Sequence, residues 1–169
     1  MMYVRESGEG LERLLESVAL LKSNRVLVGI PGENAGRGGA LNNVQLAFIH
    51  ANGSPKQGIP ARPFLEPALE QAQGEISERM GEAARMAVEG DLAGALGTMD
   101  AAGAAGEEAA RSYIGGGNLA PNAPITVSGG WMRGRGGESF KIEGKGASQP
   151  LVDSGSLRNS ITHKVEGVT

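Results

Sequence analysis

The sequence predicts an α+β fold: a small antiparallel sheet of about four strands, packed with an N-terminal helix and a long central helix and linked by extended Gly-rich loops. Three observations lead there. Apolar residues recur at helical spacing over residues 9–23 and again over residues 65–113. Short β-branched runs stand apart from them at 25–30, 125–128, 139–143 and 161–166. Between these lie stretches rich in glycine, asparagine and proline that suit turns and loops.

Leu11, Leu14, Leu15, Val18 and Leu21 share one helical face, and Glu12, Arg13, Glu16 and Lys22 fill the other, so residues 9–23 read as an amphipathic helix stopped by Ser23-Asn24. Arg25 to Ile30 is a strand bounded by Pro31-Gly32. Residues 31–40 read as a mobile loop. A short helix follows from Asn43 to His50, capped by Asn42 or Asn43 and ended at Asn52-Gly53. Pro60 and Pro63 fix φ and push their preceding residues to extended backbone, which makes residues 59–63 a stiff arm, after which Phe64 and Leu65 dock.

Pro67 suits a first helical turn, and Leu65, Ala68, Leu69, Ala72, Ile76, Met80, Ala83, Ala84 and Ala87 form an apolar stripe reaching residue 90. Gly90-Asp91 interrupts it. Asp91 caps a second stretch in which Leu92, Ala95, Leu96, Met99, Gly103, Gly106, Ala110 and Tyr113 share a face. Each interior glycine weakens a helix by up to about 1 kcal/mol relative to alanine, so with Gly94, Gly97, Gly103 and Gly106 this helix is weak alone and either packs tightly against another or frays. Past Gly115-Gly116-Gly117, residues 125–128 and 139–143 read as two strands flanking a flexible hairpin at 129–137. Finally, Asp153 or Ser154 caps a single helical turn through Ser160, and Ile161 to Glu166 alternates as an edge strand.

The length of 169 residues suits one domain, helix-rich over 1–115 and strand- and loop-rich over 116–169. Gly numbers 28 and aromatics are 4%, so the core is built of small side chains that bury little area each, which suits a subunit completed by its neighbours. The net charge of -3 excludes a strongly basic nucleic-acid binder. Without cysteine there is no disulfide, thiolate metal site or Cys nucleophile. No apolar run approaches the roughly 20 residues of a membrane span, and the first residues lack a signal peptide's apolar stretch, so a soluble protein made in a cytoplasm is expected.

No constellation for catalysis, cofactor or metal stands out. Gly36 to Ala40 lacks the Lys-Ser/Thr of a phosphate cradle. Arg133-Gly134-Arg135-Gly136-Gly137 is a single RGG-like patch with only Trp131 for stacking, and reads as a solvated or interface-ordering hairpin. His50 and His163 stand without ligand-spaced neighbours and read as capping or surface residues. Glu107-Glu108 on an Ala-rich helix reads as a solvated face. Arg62 and Arg158 differ, because each sits in a stiffened or capped element beside apolar residues, where a guanidinium clamps carbonyls or a carboxylate at fixed angles. Such a clamp is intramolecular, for example Arg62 holding its arm to the C-terminal turn, or it joins two subunits.

Two blocks carry a resemblance. Asn52-Gly53-Ser54 runs into Ile59-Pro60-Ala61-Arg62-Pro63-Phe64-Leu65 at the head of a long helix, and Pro150-Leu151-Val152-Asp153-Ser154-Gly155-Ser156-Leu157-Arg158-Asn159-Ser160-Ile161 lies near the end. In that order they resemble the tail-completion (head–tail joining) proteins of long-tailed bacteriophages, the broad family that includes lambda minor tail protein Z and the Mu-like virion morphogenesis proteins. Ser154 replaces the family's usual threonine, and the Ala/Gly-rich stretch 92–117 and hairpin 129–137 depart from its pattern. The resemblance implies a structural virion protein, not an enzyme, that forms a ring of its own copies, a hexamer, at the head–tail interface. Its partners would be the tail terminator or tail tube protein, the head-completion or stopper protein, and DNA passing through the lumen without sequence-specific binding. Assembly would take place in the host cytoplasm, with no membrane and no cofactor involved. The structural and interface candidates are Arg62, Pro63, Phe64, Asp153, Gly155, Leu157, Arg158, Arg133 and Arg135. A tail terminator or head-closure protein stays open as an alternative, and a small DNA-processing enzyme as a more distant one.

Overall fold

The computed structural model describes residues 8–36, 41–55, 59–117, 119–133, 136–144, 146, 151 and 155–167. The fold is α+β. In chain order the elements are α1 (Gly8–Ser23), β1 (Asn24–Gly29), α2 (Asn43–Asn52), α3 (Leu65–Glu89), α4 (Leu92–Gly115), α5 (Pro124–Ser128), β2 (Gly130–Arg133), β3 (Ser139–Ile142), α6 (Ser156–Ser160) and β4 (Thr162–Gly167). Instead of one sheet of four strands, the described strands make two separate antiparallel ladders, β1 with β4 and β2 with β3. The chain divides into two compact units, one of Met1–Gly29, Leu69–Ala109 and Thr162–Thr169, the other of Ile30–Ala68 and Ala110–Ile161.

In the first unit β1 and β4 pair over their full length, from Asn24 opposite Gly167 to Gly29 opposite Thr162. Val26, Val28 and His163 lie on the face that meets α4. There the glycines of α4 have a definite use: a Cβ on Gly103 would stand 2.7 Å from His163 Cδ2 and 2.9 Å from Val26 Cγ1, and one on Gly106 would stand 3.0 Å from both Leu69 Cδ2 and Val28 Cγ2. The helix gives up propensity and gains a close approach to strand and helix. Ala83, Ala87, Ala95, Met99 and Ala102 are fully buried around it. The junction between α3 and α4 follows the sequence closely: Gly90 takes φ +94° and Asp91 Oδ1 accepts from Gly94 N at 2.8 Å. Helix α1 forms as expected, but its apolar stripe faces solvent, with Leu11 62% and Leu15 60% exposed, while Ser17 is the buried residue.

In the second unit Phe64, Ala68, Ala110, Ile114, Leu119, Leu157 and Ile161 are buried, a core of larger side chains. Residues 125–128 form a helical turn and not a strand. Pro124 occupies its first position, where the missing N–H costs nothing and the fixed φ suits a helix, and this outweighs the β preference of Ile125, Thr126 and Val127. The hairpin strand is Gly130–Arg133, which the glycine content assigns to the loop. Its glycine stands at the root, and Trp131 and Met132 pair with Lys141 and Phe140. The Gly-rich segment after β1 holds an ordered 3-10 turn at Gly32–Asn34, tied to α2 by Asn43 N donating to Ala35 O at 2.9 Å. Arg37 and the glycines after it lie outside the described residues.

Candidate functional site

The first block of the resemblance is a return loop locked onto the end of α2. That helix starts with a full capping box: Asn42 Oδ1 accepts from Gln45 N at 2.8 Å and Gln45 Oε1 accepts from Asn42 N at 3.1 Å. At its other end Gly53 turns the chain with φ +71°, and a Cβ there would lie 2.7 Å from Ala61 N and 2.9 Å from Ile59 O, so only glycine fits. Ser54 and Ile59 then exchange backbone hydrogen bonds of 2.8 and 3.1 Å. The arm that follows presses back on α2, with Arg62 N donating to His50 O at 2.6 Å.

Arg62 is the centre of this arrangement. It is only 6% exposed. Its Nε donates to Ala120 O at 2.7 Å and its Nη2 to Pro121 O at 2.8 Å, so one planar fork holds two successive carbonyls of the segment after α4. Burial pulls the guanidinium's pKa below its ordinary value. The clamp is therefore intramolecular, and it grips the 120–121 segment, not the C-terminal turn. Pro63 is exposed, and Phe64, beside it, is 3% exposed and seated in the core. The alternation is what two φ-restricted prolines impose: Arg62 and Phe64 enter while Ala61 and Pro63 face out.

The second block reaches the same unit. Gly155, with φ +71°, stands at the N-cap of α6 and offers no side chain of its own to cap it. Asp153 and Ser154, the expected caps, lie outside the described residues. Leu157 is 2% exposed and Ile161 fully buried, and α6 packs on α2. A polar thread runs between them: Ser156 Oγ donates to Asn43 Oδ1 at 3.3 Å and Asn43 Nδ2 donates to Gly36 O at 3.1 Å.

Arg158 is exposed and clamps no carbonyl or carboxylate among the described residues of its own chain. That role at the C-terminal turn belongs to Arg111 on α4, whose Nη2 donates to Ile161 O at 2.8 Å. Its sequence signal is slight, a cation between the buried Ala110 and Ile114 of an alanine-rich helix. Arg133 stands exposed on β2, with Nε donating to Gly137 O at 3.3 Å, and Arg135 lies outside the described residues.

In the first unit the two residues read as surface groups are joined. Glu107 is largely buried, and its Oε2 lies 2.6 Å from His163 Nδ1 while accepting from His163 N at 3.0 Å and Thr162 Oγ1 at 3.3 Å. Asp100 stands 3.4 Å from the other ring nitrogen. The solvated face expected for Glu107 is corrected: the carboxylate fixes the start of β4 to α4. Among the described residues no three His, Cys, Asp or Glu side chains converge to hold a metal, and no helix is long and apolar enough to cross a membrane.

No family model matches the chain, and no solved structure matches it. An uncharacterized protein of Methanocaldococcus jannaschii, MJ0331, is 35% identical over 71 residues, which are 42% of this chain and 52% of that protein. The chain thus spans about half the length of the relative it matches.

Proposed function

We propose that the chain is a structural virion subunit of the tail-completion kind, which assembles with its own copies into a ring between the phage tail and the head-completion proteins and leaves a channel for DNA. The observation that carries this reading is the pairing of the two resemblance blocks. They lie far apart in sequence, yet both build one compact unit, where the α2–Gly53–Arg62 loop and α6 meet through α2. The two guanidinium groups drawn furthest into that unit among the described residues hold main-chain carbonyls: Arg62 those of Ala120 and Pro121, and Arg111 that of Ile161. Such groups shape a rigid surface and are placed for no bond-making step. On this reading the chain turns over no substrate, needs no cofactor and keeps no metal.

Electron microscopy of particles carrying a labelled copy of the chain tests the assignment. Label confined to a ring at the head–tail junction is the expected result. Label in the layer that closes the tail tube, or in the head portal, would transfer the chain to the terminator or head-closure class, and its absence from particles would end the structural reading.

A further inference from the structure

The β2–β3 ribbon has two unlike faces. Its register sets Trp131 opposite Lys141 and Arg133 opposite Ser139, so these four side chains share one face, and Met132, Phe140 and Ile142 share the other. The second face is partly covered at its root, where Ile125 lies 3.6 Å from the position a Cβ on Gly130 would take. The first face is open: Trp131, the chain's one tryptophan, is 71% exposed, and Arg133 and Lys141 stand exposed beside it. Neither strand carries a carboxylate. Two strands alone are marginally stable in water, and tryptophan with arginine is the pairing that dominates protein–protein interfaces.

A surface of opposite charge exists on the same chain. Helix α3 carries six glutamates against two arginines. Arg79 pairs with Glu75, and Arg85 with Glu82 and Glu89, while Glu70 and Glu78 have no ion pair among the described residues. Glu70, Gly74 and Glu78 lie on one exposed i,i+4 row, and Gly74 has open space where a Cβ would stand. A glycine there weakens an exposed helix and relieves no contact within the chain. It leaves a notch between two free carboxylates about 12 Å apart along the axis. Arg133 and Lys141 lie diagonal across the ribbon, with Trp131 opposite Lys141 and two residues from Arg133, and they span a comparable distance once their side chains extend.

We infer that the Trp131–Arg133–Lys141 face docks on α3 of a second copy of this chain, with the indole in the Gly74 notch and the two cations on Glu70 and Glu78. The inference rests on the reading that the chain assembles with itself, and it names the surface. The contact is heterologous, ribbon to helix, the kind that propagates into a ring.

Sedimentation velocity of the full chain tests it with two charge reversals, Arg133→Glu with Lys141→Glu, and Glu70→Lys with Glu78→Lys. Each alone sets like charges together and should weaken self-association at least about tenfold. An equal mixture restores opposite charges at every contact and should assemble like the wild type. Two single substitutions accompany them: Trp131→Ala should also weaken assembly, and Gly74→Leu should weaken it while melting no lower than the wild type, since leucine favours the helix. Wild-type assembly by both reversals, or no recovery on mixing, would overturn the docking and leave the ring intact. Duplex DNA binding that the first reversal removes with assembly unchanged would overturn it in favour of a phosphate partner. A wild type that stays monomeric at all concentrations would overturn docking and ring together.

Discussion

The two units of the chain are held by opposite means. The first has a core of four alanines and Met99, and its cohesion comes from how closely its backbones approach, with Gly103 and Gly106 admitting the strands and Leu69 against α4. The second buries Phe64, Ile114, Leu119, Leu157 and Ile161 and fixes its loops with guanidinium groups on carbonyls. Where no side chain stands between backbones, the added atom is the threat. Where a large group fills a site, its loss is. The first unit should therefore fail on small-to-large changes and the second on large-to-small ones.

The largest effect is expected from Phe64→Ala, which removes the anchor of the arm and should cost about 3–5 kcal/mol. Urea unfolding should show it as a lower midpoint; a loss under 1 kcal/mol, no more than an exposed site gives, would remove Phe64 from the core. In the first unit Gly103→Leu should cost about 1–3 kcal/mol by driving into His163 and Val26. A neutral or stabilising result, as for a glycine in an ordinary exposed helix, would mean that close approach does not hold that unit.

Arg62→Ala should cost about 1–3 kcal/mol, because two part-buried hydrogen bonds from a charged donor to the carbonyls of Ala120 and Pro121 are lost. Arg62→Lys should recover little of it, since a single ammonium cannot reach both oxygens in one plane. Full rescue by lysine would reduce the fork to a point charge.

The smallest effect concerns the β1–β4 ladder. Glu166 is held below the usual carboxylate range, first by the hydrogen bond from Arg25 and then by its charge. A carboxyl whose folded pKa is depressed adds stability above its unfolded pKa and loses it as pH falls through the folded one. Arg25→Ala should thus lower Tm slightly at neutral pH, and the difference should fade in acid and in high salt, because the pair is exposed. A difference that grows in acid would reverse the sign and the explanation.

What the sequence made legible divides along the same line. Helix ends with a local chemical cause were readable: Asn42, Gly53 and Asp91 each act within a few residues of themselves. Arg62 was readable as a clamp because Pro60 and Pro63 stiffen its arm, but its acceptors at 120–121 were not, since no local pattern marks a carbonyl. Arg158 reads as a clamp from sequence and Arg111 does not, because helical spacing alone does not separate the buried side of a five-residue turn from its exposed side. His163 and Glu107 meet through tertiary packing of β4 on α4, which leaves no trace at either position. Residues 125–133 misled because proline and glycine decide local conformation at their own sites, while β-branched content is a weak preference that a well-placed proline overrides.

The account's central claim, a subunit whose rigid Arg62-clamped unit serves head–tail joining, is tested most directly by mixing heads and tails from particles that lack the chain with purified protein and counting joined particles. Wild-type protein should restore joining, and Arg62→Ala should restore far less at a temperature where its loss of stability unfolds the second unit. Heads and tails that join equally well without the protein would contradict the account.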